Sequence, residues 1–161
     1  NREVKADVYG NMAEGLPFGD NTITEVVMDN VLEHVPRERF FGFLEELHRV
    51  CRQDARIEIY VPHYSGMYAF KHPAHYMYFG VGSFHLYDPR VPFNGERYTK
   101  ARFEVVQERL LCFHHNLVNH QLLSKLPINW LFNWNIDWRQ LMERLQFFGF
   151  DEIYYELRVG K

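Results

Sequence analysis

His63 is the residue of this sequence whose position best suits proton chemistry. It follows the apolar, alternating run Ile57 to Pro62, so its imidazole is expected at the end of a β-strand. Because histidine titrates near neutrality, an imidazole there can accept a proton from a substrate hydroxyl or amine. A lone histidine is more often structural, and both interpretations of His63 stay open.

Six further histidines could in principle bind a metal ion. No spacing among them is diagnostic of zinc, neither cysteine is suitably spaced, and the first His-x-x-His precedes no recognisable helix. The sequence therefore predicts no metal site. The histidines concerned are His72, His75, His85, His114, His115 and His120.

The elements that must position these side chains form a strand, helix, strand unit. A turn over Leu16 to Asn21 precedes an apolar strand, Ile23 to Met28, which is expected to be covered on both faces. Apolar residues then recur at helical spacing through Arg37 to Cys51, and Arg56 to His63 forms the next strand. This order predicts the right-handed crossover between two parallel strands.

The amino-acid sequence of this unit resembles that of class I S-adenosylmethionine-dependent methyltransferases, in particular the type 11 family. The residues that carry the resemblance are Leu16-Pro17-Phe18-Gly19-Asp20-Asn21, Leu32-Glu33-His34-Val35 and Val61-Pro62-His63. The resemblance implies an α/β, Rossmann-like sheet in the strand order 3-2-1-4-5-7-6. It also implies S-adenosylmethionine as the cofactor, bound across the carboxyl ends of the strands.

The family's glycine-rich cofactor loop is missing from this sequence. The resemblance therefore implies an incomplete sheet that lacks the first two strands of the family fold. It also implies a single methyltransferase-like domain over residues 1–161. Val4 to Tyr9 is expected to be a strand, and Phe103 to Phe113 is expected to pair antiparallel with an edge-like strand, Glu152 to Val159. We interpret the chain as the carboxyl-terminal part of a longer protein, although dimerisation or rearrangement could also repair the gap.

The resemblance also implies cofactor-binding positions. Asn11 and Met12 align with the residues at the adenine, although Asn11 replaces the usual Asp and Gly10-Asn11 suits a simple turn equally well. Asp29, Asn30 and His34 align with the groups around the methionine moiety. For His34, packing beneath the sheet is the alternative.

Two histidines are the catalytic candidates in that framework. His63 would take a proton from the methyl acceptor, and His75 would grip the acceptor. His75 belongs to His72-Pro73-Ala74-His75, which resembles a D-P-T-H element in methyltransferases that modify small molecules and glycans. In this sequence His72 replaces the Asp of that element. The expected acceptor is therefore a small molecule or a glycan-linked group.

Aromatic residues crowd the stretch from residue 62 to about residue 100, where the periodicity fades. A long segment of this kind is typical of a lid or binding loop, which here would close over the acceptor. Farther on, Trp130, Trp134 and Trp138 recur at helical spacing. They indicate a core or a subunit interface more than contact with a membrane.

The charge, hydropathy and cysteine content of the chain disfavour some classes of function. A net charge of −3 gives no broad basic surface, which disfavours nucleic acid as the main partner. No apolar run is long enough to span a bilayer, and Cys51 and Cys112 are expected as reduced core thiols of a cytoplasmic protein. A homo-oligomer is possible. A non-catalytic interaction or regulatory module of the same ancestry is the alternative to an enzyme.

Overall fold

The computed structural model describes residues 5–12, 14–92, 98–112, 130, 132–145 and 149–161. In this part of the chain, four strands form one sheet, and three α-helices and three short 3-10 helices accompany it. The strands are β1 (Ile23–Asp29), β2 (Cys51–Pro62), β3 (Phe103–Leu111) and β4 (Glu152–Val159). The α-helices are α1 (Phe40–Val50), α2 (Met67–Lys71) and α3 (Ile136–Leu145), and the 3-10 helices are Leu32–His34, Arg37–Arg39 and His85–Tyr87.

The sheet has the strand order β1-β2-β4-β3. β1 and β2 run parallel, as the crossover unit predicts, whereas β4 pairs antiparallel with both β2 and β3. This arrangement confirms the predicted fold class, an incomplete Rossmann-like α/β sheet with an antiparallel carboxyl-terminal strand pair. The expectation that Glu152 to Val159 is edge-like was wrong, because β4 lies inside the sheet and seven of its eight residues pair with β2.

One face of the sheet is covered by α1. The predicted apolar stripe of this helix is buried, and it packs with the inward side chains Ile57, Ile59 and Val61 of β2. Their burial follows from the 3.6-residue and two-residue periods of helix and strand. The buried residues of the stripe are Phe40, Phe43, Leu44, Leu47 and Val50.

Two expectations for the amino-terminal part were wrong. Residues 5–9 form no strand and are exposed, because no described strand lies beside them to supply the ladder of hydrogen bonds. β1 was expected to be covered on both faces, yet Val27 is 61% exposed and only Met28 is fully buried. β1 is an edge of the described sheet, with β2 as its paired neighbour.

The turn before β1 is fixed by side chains of α1. Arg49 donates to the carbonyl oxygens of Leu16 and Phe18 at 3.2 and 3.1 Å, and the Leu16 amide donates to Glu46 at 3.1 Å. The Glu46 and Arg49 side chains are themselves ion-paired at 2.8 Å. The turn is thereby attached to the helix that follows β1 in the chain.

The connection from α1 into β2 is a β-bulge, and β2 begins earlier than the expected Arg56. β2 begins at Cys51, and its pairing with β1 skips from Cys51 to Arg56, which leaves Arg52 to Ala55 as a bulge. Asp54 in this bulge has a φ of 62°, a conformation that Asp tolerates better than most residues. Cys51 and Cys112 are both buried, and burial raises the pKa of their thiols to about 11 and about 12.

The segment after β2 contains α2, the 3-10 helix His85–Tyr87 and a bridge between His63 and Phe79. Asp88 attaches this segment to β3. Its carboxylate accepts hydrogen bonds from the Arg90 side chain at 2.6 and 2.9 Å and from the Val105 amide at 2.8 Å. Burial alone would raise the pKa of Asp88, but these donors hold it at about 2.

We expect Asp88→Asn to lower the free energy of unfolding by about 2 kcal/mol, because it removes a buried charge that accepts several hydrogen bonds. Urea unfolding followed by circular dichroism measures the change. Asp20→Asn is the matched control, since Asp20 also pairs with an arginine but is 68% exposed, and its loss should cost less than about 1 kcal/mol. Equal shifts in both variants would contradict this role for Asp88.

Candidate functional site

A cavity of about 560 Å³ opens where β1 and β2 end and β4 begins. In open α/β sheets, ligands bind beyond the carboxyl ends of parallel strands, which is the location of this cavity. The sheet contributes polar groups next to it, and the segment after β2 closes the opposite side. The lining includes Asn30, Glu33, His34, Pro62, Tyr68, Lys71, His72, His75, Asp151 and Glu152.

Three histidines converge on the cavity wall. The ring centroid of His34 lies 5.2 Å from that of His72 and 4.8 Å from that of His75. The rings of His72 and His75 stack with their centroids 5.0 Å apart. His34 comes from the 3-10 helix after β1, whereas the other two follow α2. The fold therefore brings together His34 and His75, which the sequence had assigned to separate roles.

Backbone carbonyls fix the orientation of two of these rings. Nδ1 of His34 lies 3.0 Å from the Ala74 oxygen, and Nδ1 of His75 lies 3.1 Å from the Ala69 oxygen. Because a carbonyl can only accept, Nδ1 carries a proton in both rings, so in the neutral form Nε2 has the lone pair. Burial lowers the pKa of His75, which favours this neutral form.

Two buried glutamates adjoin the cluster, and neither was proposed from the sequence. Glu33 is 1% exposed, and neither of its carboxylate oxygens has a hydrogen-bond partner among the described residues. Burial, assisted by the charges of Glu152 and Asp29, raises the pKa of Glu33 to about 7. Glu152 is also 1% exposed and accepts from the Asn30 side chain at 3.3 Å.

His63 lies outside the cavity lining. Its side chain is fully buried, Nδ1 accepts from the Ser65 amide at 3.2 Å, and Nε2 lies 2.7 Å from a carboxylate oxygen of Glu143. Since Nδ1 accepts, Nε2 carries the proton and donates to Glu143. This geometry occupies both ring nitrogens with protein partners and favours the structural interpretation of His63; its catalytic role stays a prediction.

The turn that follows His63 is closely packed. Gly66 donates from its amide to the His63 carbonyl at 2.9 Å, and Ser65 Oγ accepts from the Phe150 amide at 3.1 Å. A Cβ built on Gly66 would lie 2.3 Å from the Phe150 carbonyl oxygen. The absence of a side chain at residue 66 thus allows the end of β2 to approach the start of β4.

The residues predicted to bind the cofactor divide into two groups. Asp29 and Asn30 are at the end of β1, where the Asn30 side chain donates to Asp29 at 2.8 Å and borders the cavity with His34. Asn11 and Met12 lie in the loop before the turn, where Asn11 donates to Glu14 at 2.8 Å and Met12 packs against the core. The cofactor-binding role of both groups remains a prediction.

Sequence reasoning missed Glu33, Glu152 and the contact between His34 and His72. Glu33 stands beside His34 in the matched motif, so a charged residue between apolar Leu32 and Val35 was a signal that it is buried. The proximity of His34 and His72 had no local signal. It depends on the Tyr76 amide, which donates to the Glu33 carbonyl at 2.7 Å and draws the later segment against the earlier one.

Trp130, Trp134 and Trp138 all lie among the described residues, although 121–129 and 131 do not, and Trp138 is half-buried. Trp130 and Trp134 are 73% and 74% exposed, so neither packs in the core of the described part. No described helix has both the length and the apolar character that crossing a bilayer requires.

Comparisons with known proteins agree with this geometry. Residues 1–59 match the family described as "Methyltransferase domain". A solved S-adenosylmethionine-dependent methyltransferase from Archaeoglobus fulgidus has a similar fold, with a TM-score of 0.52 and 18% sequence identity. The match covers 94% of this chain and 66% of that one, so the present chain spans just under two thirds of its length. No curated protein sequence matches the chain.

The matched segment and the shared fold confirm the resemblance to class I S-adenosylmethionine-dependent methyltransferases. The similarity in sequence covers residues 1–59, and the similarity to the solved structure concerns the fold.

Proposed function

We propose that this chain takes part in the transfer of a methyl group from S-adenosylmethionine to a small-molecule or glycan-linked acceptor bound in the cavity. The observation that carries the proposal is the location of the cavity, at the carboxyl ends of β1 and β2 in a methyltransferase-like sheet. Its volume of about 560 Å³ is in the range of small-molecule sites.

The cofactor would be held beside this cavity. S-adenosylmethionine, when bound, supplies the methyl group as a sulfonium. Asp29, Asn30 and His34 border the methionine side, and Asn11 and Met12 would contact the adenine. The polar ends of β1 and β4 fit a charged ligand, since Asp29, Asn30 and Glu152 are connected by hydrogen bonds there.

The acceptor would be oriented by the cavity wall. Its oxygen or nitrogen attacks the methyl carbon as the bond from sulfur to that carbon breaks, and its proton must leave. Nε2 of His75, which has the lone pair, can accept a hydrogen bond from the acceptor and orient its attacking atom, and the proton leaves to solvent. Alignment of the two reacting atoms supplies most of the acceleration in such a displacement.

Residues 62–100 would act as the lid over the acceptor. Phe70 and Tyr78 stack 4.8 Å apart on its exposed surface, and Tyr68 lies at the cavity. Apolar and aromatic side chains at this location would exclude water from the reacting atoms.

We expect His75→Ala to raise the acceptor KM roughly tenfold while lowering kcat less, because one hydrogen bond to the acceptor is lost. The measurement is transfer of labelled methyl from S-adenosylmethionine to a panel of hydroxyl and amine acceptors. His48→Ala is the matched control, since His48 belongs to α1 and lies outside both the cavity lining and the lid.

Two outcomes would contradict the proposal. Unchanged kinetics in His75→Ala would remove this residue from the acceptor site. Absence of both S-adenosylmethionine binding, measured by titration calorimetry, and methyl transfer would instead favour a non-catalytic interaction module.

A further inference from the structure

The three histidines on the cavity wall have the arrangement of a metal-binding cluster. One potential ligand atom from each of His34, His72 and His75 lies within 4.8 Å of the other two. Nitrogen ligands on a tetrahedral zinc ion lie about 2.0–2.1 Å from it, and therefore about 3.4 Å from one another. A contraction of at most about 1.4 Å would bring the ligand atoms to that geometry.

The hydrogen bonds of the rings favour metal binding. A metal-ligating histidine almost always donates its other ring N–H to a carbonyl, a carboxylate or water, which directs the remaining nitrogen at the ion. His34 and His75 make such bonds, to the carbonyl oxygens of Ala74 and Ala69. Nδ1 of His72 accepts a long hydrogen bond of 3.3 Å from the Ala74 amide. Because the His72 side chain is exposed, its ring can turn at little cost.

A buried carboxyl group without a hydrogen-bond partner provides an independent observation at the same place. The Glu33 carboxylate lies 4.0 Å from Nε2 of His34, is 1% exposed, and has no hydrogen-bond partner among the described residues. A buried carboxylate without a partner is costly. A dication held by the neighbouring imidazoles would offset that cost.

We propose that His34, His72 and His75 bind a divalent transition-metal ion at the cavity wall, with the Glu33 carboxylate compensating its charge. Imidazole ligands select zinc, copper, nickel or iron over magnesium and calcium. Three protein ligands leave one position of a tetrahedral ion open towards the cavity, where water or an oxygen of a bound molecule can enter.

The sequence had predicted no metal site because its spacing rules compare neighbouring histidines. His72-x-x-His75 supplies only two ligands, and the third comes from the other end of the crossover unit. Nε2 of His75 cannot ligate an ion and bond the methyl acceptor at the same time, so the two proposals describe two different states of the site. The metal proposal does not rest on the proposed methyl transfer, since metal binding is measured without cofactor or acceptor.

The test titrates the chain with Co²⁺, followed by visible absorption, and with Zn²⁺, followed by calorimetry. We expect one ion per chain and the visible bands of a tetrahedral site. His72→Ala is the principal variant, because the residue is exposed and its loss should leave folding intact. It should weaken Zn²⁺ binding at least ~10-fold, as should Glu33→Gln, whose effect is on the ligand environment.

His85→Ala is the control, because its side chain also lies near a buried glutamate, at 3.9 Å from Glu108, but outside the cluster. It should bind like the unmodified chain. The proposal is overturned if no ion binds, if His72→Ala binds as tightly as the unmodified chain, or if His85→Ala loses as much affinity. Circular dichroism of each variant without metal checks that a loss of binding is not a loss of folding.

Discussion

Gly66→Ala should destabilise the protein by about 3 kcal/mol or more, among the largest effects expected for a single methyl group. The added Cβ would lie 2.3 Å from the Phe150 carbonyl oxygen and 3.2 Å from the His63 carbonyl oxygen. Both contacts are backbone atoms, so no side chain can rotate to relieve them. The ends of β2 and β4 would have to separate.

The matched control is Gly42→Ala, the same chemical change within α1. A Cβ on Gly42 meets nothing within 4 Å, and alanine is the better helix former, so this variant should gain about 0.5–1 kcal/mol. Urea unfolding of the two variants and the unmodified chain gives both changes. A Gly66→Ala variant within about 1 kcal/mol of the unmodified chain would mean that the turn accommodates a side chain.

His63→Ala should lower the free energy of unfolding by about 3 kcal/mol, because it leaves a buried cavity and removes the donor to Glu143. Glu143 is 9% exposed and would retain the Val81 amide as a donor while losing the imidazole. Ser65 would lose the acceptor of its amide. Thermal and urea unfolding measure the loss, with His85→Ala as the control for removing a histidine.

The same variant tests the predicted catalytic role of His63. Methyl transfer is compared per folded molecule, after the folded fraction is determined. If His63 were a general base, turnover per folded molecule would fall roughly 10²–10⁴-fold. If the buried pair with Glu143 only supports the end of β2, stability would fall while the turnover of folded molecules changed little.

Local patterns predicted the elements around the site. The apolar stripe of α1 and the alternation of β2 are properties of contiguous residues, and both were confirmed. The location of β4 was not predictable in this way. Its residues Ile153 and Tyr155 are as buried as those of an interior strand, but only pairing with β2, distant in sequence, makes them so.

In the candidate site, too, some residues could be predicted from local sequence and others depend on contacts between distant segments. Asn30 and His34, at the end of β1, were candidates because the resemblance aligns them with the groups around the methionine moiety, and both line the cavity. The approach of His72 to His34 and the burial of Glu33 depend on contacts between segments that no local pattern relates. Residues at strand ends could therefore be predicted, whereas the partners brought by the following segment could not.

The amides of Tyr76 and Met77 both point at the Glu33 carbonyl, at 2.7 and 3.4 Å, and the His34 ring is bonded to Ala74. The segment from Ala74 to Met77 and the 3-10 helix Leu32–His34 are thus coupled and should move as one rigid body. A ligand cannot widen the cavity by separating His34 from His75 without breaking these bonds. Its route of entry is set instead by α2, which presents Tyr68 and Lys71 on the other side of the cavity.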